Sequence, residues 1–405
     1  MSPFNKLTFK KLLVLLLIGL IISCKNNSDS KLKVIEKSES LTKELDKIHK
    51  EGHINGFSVA IVDQNGTLYQ KGFGYADVKT KKLYSENTIQ NVASISKTFI
   101  GIALLKAQEL GKLDLDDPIN NYLPFEVRNS YFPEKEITIR HLATHTSTIV
   151  DTKFYGEKSY ILKENIDVNQ LPEGIYVKLN KPESKTSMES FLNKILSEQG
   201  ELYRQDGFLN KMPGEQFEYS NIGATLAAIV LENATGETFI NFTSKHILNP
   251  LKMIATGWSF KDVIFSNHSK LYLNSNTEIP FYSLITFPDG GLITSVNDLS
   301  KYLTELINGF NGDGSILTKN SYTELFTKQL KDHNFSNQSG ENEGIFVSFS
   351  SDGLIGHSGG DPGVATHMFY NPKTNIGKIL FVNTELDSKG KNDYNAILNK
   401  LKEYK

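Results

Sequence analysis

The sequence is almost free of cysteine: Cys24 is the only one in 405 residues. A lone thiol has no partner in the chain, so no intramolecular disulfide holds the fold. Basic residues are not in excess either. The 44 lysines and arginines face 46 aspartates and glutamates, which argues against a nucleic-acid partner. With 39% hydrophobic and 22% charged residues, the composition is that of a globular protein with one large domain or two smaller ones.

The N-terminal apolar run is too short for a transmembrane helix. Leu12–Ile22 has 11 residues, whereas roughly 20 are needed to span a bilayer. Lys6, Lys10 and Lys11 precede this run. A short apolar run behind a positive segment is typical of a signal peptide, so we predict that residues 1–23 direct export and are removed.

The apolar run ends in Ile21-Ile22-Ser23-Cys24, which resembles the lipobox of bacterial lipoproteins. In such signals the cysteine thiol receives a diacylglycerol and becomes the mature N-terminus. The resemblance implies an exported, membrane-anchored lipoprotein of the bacterial cell envelope, lipidated on Cys24. The polar stretch 24–40 would be a disordered tether. The alternative is an ordinary secretory signal beside an incidental cysteine.

From residue 41 onward, strand patterns lie at both ends of the sequence and helical patterns in the middle. The dipeptide Asn65-Gly66 indicates a hairpin between the first two strands. Strands are predicted at Ser58–Val62, Thr67–Gly72, Gly344–Phe349, Thr366–Tyr370 and Lys378–Asn383, and helices at Ser96–Leu110, Met188–Glu198, Asn221–Asn233, Thr238–Leu248 and from about Asn392.

This arrangement predicts an α+β fold. A mainly antiparallel sheet would be built from both chain ends and flanked by helices, with an inserted all-helical lobe roughly within 112–260. The domain would cover 41–405. A cleft between two such parts is a favoured position for a catalytic site.

The first candidate for catalysis is Ser94-Ile95-Ser96-Lys97. A serine and a lysine three residues apart on a helix project from the same face, and a serine hydroxyl needs a neighbouring base to become a nucleophile. The spacing alone is weak, because Ser388 and Lys391 repeat it. Only Ser94, however, is followed by an apolar helix at a predicted strand-to-helix transition.

Two further motifs contain groups that could take part in acyl transfer. In Tyr219-Ser220-Asn221, a phenol could relay protons and an amide could hold a carbonyl group. The simpler interpretation is a buried aromatic beside a helix N-cap. In the run from His357 to Gly360, two glycines would let a ligand approach the backbone, so that a main-chain N–H points at an oxyanion. Here the simpler interpretation is a tight turn.

In this order, the three motifs resemble those of serine β-lactamases and low-molecular-weight penicillin-binding proteins. They match the branch of class C β-lactamases, D-amino-acid peptidases and esterases, which has Ser-x-x-Lys, Tyr-x-Asn and then Lys-Thr-Gly or His-x-Gly. The similarity covers roughly 45–400. Further runs that match are Gly111–Pro118, His145-Thr146-Ser147, Pro213-Gly214 and Gly290-Gly291-Leu292.

The resemblance implies the β-lactamase/DD-peptidase-like fold, a serine hydrolase activity and no cofactor. It implies an acyl-enzyme on Ser94 and general-base work shared by Lys97 and Tyr219. Asn221 would orient the substrate. The substrate would be a small molecule or a peptidoglycan fragment: an ester, a D-amino-acid peptide or a β-lactam. The resemblance also implies substrate binding by His357, Ser358 and Gly359, with His357 facing the leaving side or carboxylate of the substrate. It implies an oxyanion hole from the backbone N–H groups of Ser94 and Gly360.

Three positions depart from the family pattern. His357 replaces a lysine whose fixed charge meets the substrate carboxylate, and a histidine of ordinary pKa is only partly charged near neutral pH. Thr148 and Asp289 stand where glycine and alanine are usual. We therefore expect a weak β-lactamase at most.

Two alternatives to a serine hydrolase stay open at this point. One is a non-catalytic lipoprotein of the same fold that binds cell-wall fragments, and the other is a solute-binding lipoprotein of unrelated fold. A zinc site at His141 and His145 is not expected, because no glutamate follows His141 and no third ligand is in view. We expect capping or packing roles for these two histidines.

Overall fold

The computed structural model describes residues 36–335 and 341–404. The predicted signal peptide, Cys24 and most of the predicted tether lie outside these residues. The helices are α1 (36–51), α2 (Ser96–Glu109), α3 (Ile139–Ala143), α4 (Lys153–Lys158), α5 (Met188–Leu196), α6 (Asn221–Thr235), α7 (Phe239–Thr243), α8 (Phe287–Gly290), α9 (Val296–Asn311), α10 (Lys319–Leu325) and α11 (Ser388–Glu403).

The strands pair mainly in one antiparallel sheet of eight, in the order β10-β11-β12-β13-β14-β1-β2-β3. Their bounds are β1 (Gly56–Asp63), β2 (Gly66–Asp77), β3 (Lys82–Leu83), β4 (Ile89–Asn91), β5 (Tyr160–Leu162), β6 (Leu271–Tyr272), β7 (Glu278–Ile279), β8 (Tyr282–Leu284), β9 (Ile293–Ser295), β10 (Asn342–Glu343), β11 (Ser348–Phe349), β12 (Ile355–Asp361), β13 (Val364–Asn371) and β14 (Ile376–Val382).

The two chain ends meet in the middle of this sheet. Strand β1 pairs with β2 across the predicted hairpin and with β14 on its other side, where Phe57 lies opposite Val382. Every residue of β1 except Asp63 is buried. A strand buried on both faces is continuously apolar rather than alternating, as β1 is. The predicted α+β fold with a sheet built from both ends is confirmed.

Helices cover both faces of the sheet. On one face, Leu45 of α1 and Leu401 of α11 pack against Val59 and other apolar residues of the central strands. On the opposite face, Tyr302 of α9 belongs to the larger core, which also contains α2 and α6. Since apolar side chains are removed from water on both faces, the fold needs no disulfide.

The inserted lobe between α2 and α8 is mostly helical but not all-helical. Its central helix, α6, is buried from Ile222 to Leu231 and contacts α2, α3 and α5. The lobe also contains β5, which pairs with β8 in a separate two-stranded sheet. The sequence does not predict this strand, because three buried residues are too few to show a period.

Two predicted boundaries are wrong. Residues 36–40 are already part of α1, so the disordered tether cannot extend to 40; Glu and Lys favour the helix, and Leu41 and Leu45 anchor it on the sheet. Gly344–Phe349 is not one strand, because β10 ends at Glu343 and β11 begins at Ser348. In between, Phe346 has a φ of +52°, which breaks the extended backbone. Within 36–335 and 341–404, no helix has the length and apolarity of a membrane span.

Candidate active site

Ser94 lies in a single 3₁₀ turn, Ala93–Ile95, between β4 and the start of α2. Ala93 has a φ of +48°, a left-handed conformation that costs a residue with a side chain about 1–3 kcal/mol. The turn is held to β13, because Thr366 Oγ1 donates a hydrogen bond to Val92 O at 2.8 Å. Ser94 is half-buried, whereas its neighbours Ala93 and Ile95 are buried. The strained turn therefore leaves the Ser94 side chain partly accessible, while the residues on either side of it are buried.

The ammonium group of Lys97 is fully buried beside Ser94. Its Nζ lies 3.0 Å from Ser94 Oγ, 2.6 Å from Asn221 Oδ1 and 2.7 Å from the main-chain oxygen of Asp289. An ammonium has three N–H donors, which matches these three acceptors. A neutral amine could keep the bonds to Asn221 and Asp289 and accept the proton of the Ser94 hydroxyl. The site thus suits both proton states of the lysine.

Electrostatics favour the charged state in the resting site. Burial alone would lower the pKa of Lys97, but the neighbouring Tyr219 and Asp289 outweigh it, and the pKa is raised. Lys97 is therefore an ammonium before substrate binds, and a step that uses it as a base must first move this proton.

Tyr219 lies next to Lys97, where its hydroxyl could relay a proton by accepting one while donating its own. Its ring packs against the ring of His145, with centroids 4.5 Å apart, and lies 5.0 Å from Lys97 Nζ. The hydroxyl is buried and makes no well-aligned hydrogen bond within the described residues. Burial raises the pKa of Tyr219, and its interactions with Lys97 and Ser94 oppose this shift. A buried hydroxyl without a well-aligned hydrogen bond is costly, so it indicates a group kept ready for a reaction or a ligand.

Asn221 is the first residue of α6, and Asp151 fixes its side chain. The Asp151 carboxylate accepts from Asn221 Nδ2 at 2.7 Å and from the backbone N–H groups of Asn221 and Ile222 at 3.0 and 2.9 Å. It also accepts from Ser220 Oγ at 3.0 Å. The bond through Nδ2 directs Asn221 Oδ1 toward Lys97. Asp151 is missing from the sequence-based prediction, since an acidic residue in a loop has no distinguishing pattern.

The third motif occupies β12, beside the serine. His357, Ser358, Gly359 and Gly360 line one cleft with Ser94 and Tyr219, with a volume of about 430 Å³. A Cβ on Gly359 would lie 2.4 Å from Val92 O, so glycine is required for the strand to approach the turn before Ser94. A Cβ on Gly360 would meet nothing within 4 Å, so this position opens into the cleft. The motif is a strand rather than a tight turn.

His357 is neutral in this structure, which corrects the expectation of a partly charged imidazole near pH 7. Burial lowers the pKa of His357 to about 4, and the charge of Lys97 adds to the effect. Its Nδ1 lies within hydrogen-bond distance of the backbone oxygen of Ser358. The ordinary histidine pKa applies to a solvated ring, and solvation is what the sequence does not show.

Two buried carboxyl groups, those of Asp289 and Asp361, lie close to the site. Asp289 accepts from Tyr155 at 2.9 Å and from Thr225 at 3.0 Å, and burial raises its pKa to about 6. Asp361 accepts from Tyr160 at 2.7 Å, and burial raises its pKa to about 7. The departure of Asp289 from the family pattern thus adds a titratable carboxyl next to Lys97. No pattern in the sequence predicts that Tyr155 is the partner of Asp289.

The two histidines of the helical lobe have the expected structural roles. His141 Nδ1 accepts from Thr138 N at 3.1 Å in a capping box at the start of α3. His145 is buried, and its Nδ1 accepts from Ser220 N at 3.2 Å. In the described ranges, no three or more His, Cys, Asp or Glu side chains are grouped so that they could hold a metal ion.

Residues 41–401 match the Beta-lactamase family. The chain belongs to this family. It is 30% identical over 338 residues to the human mitochondrial serine beta-lactamase-like protein LACTB, an alignment that covers 74% of this chain and 60% of that protein. The chain therefore spans less than two thirds of this relative.

Solved structures of the family share the fold. The octameric penicillin-binding protein homologue from Pyrococcus abyssi aligns with a TM-score of 0.64 and 25% identity, over 90% of this chain and 76% of that one. EstCE1, a hydrolase with promiscuous acyltransferase activity, aligns with a TM-score of 0.65 and 19% identity, over 90% and 99%. The fold is that of β-lactamases and penicillin-binding proteins, and the chain belongs to a family of serine hydrolases.

Proposed function

We propose that this protein hydrolyses neutral short-chain esters through an acyl-enzyme on Ser94. The observation that supports this best is the 3.0 Å contact between Lys97 Nζ and Ser94 Oγ, in a cleft where Tyr219 offers a hydroxyl without a well-aligned hydrogen bond. A nucleophile within hydrogen-bond reach of a base, which a third group orients, is the arrangement that covalent catalysis needs. Asn221 is the orienting group here.

In this proposal, the Lys97 ammonium first releases one proton to solvent, and Ser94 Oγ then bonds to the acyl carbon while its proton passes to the neutral amine of Lys97. The carbonyl oxygen becomes an oxyanion, which the backbone N–H groups of Ser94 and Gly360 would stabilise. The leaving alcohol takes a proton and departs. Water then attacks the acyl-enzyme, releases the carboxylic acid and restores the Ser94 hydroxyl. The step requires no metal or cofactor.

The preference for neutral substrates rests on the charges around the cleft. Among the described residues that line it, none is a lysine or arginine. His357, in the place of the family's lysine, is neutral because its pKa is about 4. A carboxylate on the substrate would gain no ionic contact from these residues, and a hydrogen bond to a charged group is typically worth about 1.5–3 kcal/mol.

A hydrolysis panel tests the proposed activity. We expect p-nitrophenyl acetate and butyrate to be hydrolysed with a higher kcat/KM than nitrocefin or D-alanyl peptides. A folded protein that hydrolyses none of the four and is not labelled by a fluorophosphonate would favour the non-catalytic alternative, a lipoprotein that binds cell-wall fragments.

Exchanging His357 for lysine should improve the reaction with penicillins. We expect His357→Lys to raise the rate of penicillin acylation at pH 7.5 roughly tenfold or more, because a fixed charge adds an ionic contact. In the unmodified protein, lowering the pH from 8.5 to 5.5 should bring no increase through His357, since the imidazole becomes charged only near pH 4. Acylation rates of both proteins over this range provide the check.

For this prediction the matched control is His53→Lys, at an exposed histidine that pairs with Asp393 far from the cleft. This exchange should leave penicillin acylation unchanged. If acylation by the unmodified protein rises steeply as the pH falls to 6, the neutral state assigned to His357 is wrong.

We also propose that the protein is an exported lipoprotein anchored through Cys24. We expect Cys24→Ser to move the protein from the membrane to the soluble fraction, or to leave its signal peptide uncleaved. A second acyl chain on the new amine would make the anchor stable, since single chains hold only marginally. Intact-mass measurement of the mature protein decides the question, because a mass without added lipid contradicts the proposal.

A further inference from the structure

The end of the cleft near His357 differs chemically from the rest of it. Strands β10 and β11 extend the sheet beyond β12 at this end, with Ser348 opposite Gly356. They bring Glu343 and the ring of Phe349 to the lining, where Phe217 and Phe369 also lie. Two acids, Glu341 and Glu343, and three aromatic rings thus share the end of the cleft that the family resemblance assigns to the leaving side or carboxylate of the substrate.

Glu343 is a buried acid without a cationic partner among the interactions described for it. Its side chain is 8% exposed, and Ser348 Oγ donates to Oε1 at 2.8 Å. Burial raises the pKa of Glu343 to about 8, with a smaller contribution from Glu341. Burying a carboxyl without a cation costs stability, so its position in a ligand cleft calls for a functional reason. A cation brought by a ligand would remove part of this cost.

The aromatic rings strengthen the case for a cation. Ring faces attract ammonium groups, and the attraction is stronger where the group is shielded from water. One protein cation already uses this property, since Lys328 Nζ lies 5.5 Å from the ring centroid of Phe349. Aromatic rings around an acid form a site for an alkylammonium group rather than for a carboxylate.

We propose that the His357 end of the cleft binds an alkylammonium group on the leaving side of the substrate, with Glu343 as its counter-ion. This inference rests on the proposed hydrolase activity and names its substrate class: esters or amides with a cationic leaving group. Glu343 acts as a specificity-determining residue. Phe217 and Phe369 contribute ring faces to the same group.

Two esters of equal shape test the role of charge. Acetylcholine and 3,3-dimethylbutyl acetate have the same acyl group, and their leaving groups differ in a quaternary nitrogen against a carbon. At about pH 9, where Glu343 is ionised, we expect the unmodified protein to hydrolyse acetylcholine with a kcat/KM about tenfold higher. Glu343→Gln should bring this ratio close to one, because the amide keeps the shape and the acceptor for Ser348 but cannot become an anion.

Glu237→Gln is the matched control, at a half-buried glutamate that pairs with Lys245 outside the cleft; it should keep the tenfold ratio. A ratio of one or less in the unmodified protein, or an equal ratio in Glu343→Gln, overturns the inference. Hydrolysis of the neutral ester tests the hydrolase proposal separately. If neither ester is turned over, binding of both to the Ser94→Ala protein by calorimetry decides, since tighter binding of acetylcholine supports the cation site and equal binding contradicts it.

Discussion

Ser94→Ala should abolish turnover and labelling by a fluorophosphonate, with kcat reduced at least about 10,000-fold. The nucleophilic oxygen is removed, and in the described part of the chain Ser94 is the serine whose Oγ lies beside Lys97 Nζ, at 3.0 Å. The fold should survive, because Ser94 is half-buried and its side chain is small. Ester hydrolysis and labelling measure the loss, and circular dichroism verifies the fold.

The chain supplies its own control for this experiment. Ser388 and Lys391 repeat the Ser-x-x-Lys spacing at the start of α11, where Ser388 is exposed. Ser388→Ala should therefore retain full activity and labelling. Full activity in a folded Ser94→Ala protein would instead exclude the acyl-enzyme and, with it, the proposed function.

Loss of either proton-transfer group should have the next largest effect. We expect Lys97→Ala and Tyr219→Phe each to lower kcat about 100- to 10,000-fold, the range that a positioned acid or base contributes. Tyr219→Phe removes only a hydroxyl that makes no well-aligned hydrogen bond, so the stability of this protein should stay close to that of the parent. Lys97→Ala leaves a cavity and the oxygens of Asn221 and Asp289 without their donor, so its melting temperature should fall.

The double variant distinguishes a shared proton relay from two independent effects. If Lys97 and Tyr219 pass one proton between them, the loss in the double variant should be close to that of the worse single variant. Losses that multiply would contradict the relay. Lys106→Ala, on the same helix and paired with Glu109, is the control for removing a lysine from α2. It should leave kcat unchanged.

The motifs that the sequence predicts are those in which residue type and spacing carry the chemistry. Ser94 and Lys97 are three residues apart on one chain segment, so their contact follows from helical geometry. Placing Tyr219 and β12 beside them needed the family resemblance, because nothing local in the sequence relates them to Ser94. The hairpin at Asn65-Gly66 and the sheet from both chain ends were likewise predictable from turn residues and apolar runs.

What the sequence does not reveal are properties set by burial and by distant partners. Asp151, Asp289 and Glu343 are acidic residues like many others in the sequence, and only the fold places them beside Asn221, Lys97 and the cleft. The expectation of an ordinary pKa for His357 was wrong for the same reason. The desolvation and the charge of Lys97 that lower this pKa both come from other segments of the chain. The interruption between β10 and β11 depends on the positive φ of Phe346, which an apolar run does not reveal.

The position of β1 between β2 and β14 has a consequence for how the chain folds as it is synthesised. Of the two partner strands of β1, β14 lies more than 300 residues later in the sequence. The pairing of β1 with β14 therefore forms only after nearly the whole chain has been made. Until then, the buried edge of β1 offers unpaired backbone groups to other chains, a known route to aggregation. Such long-range pairing slows folding. The export that we propose would therefore act on a chain whose central sheet has not yet closed.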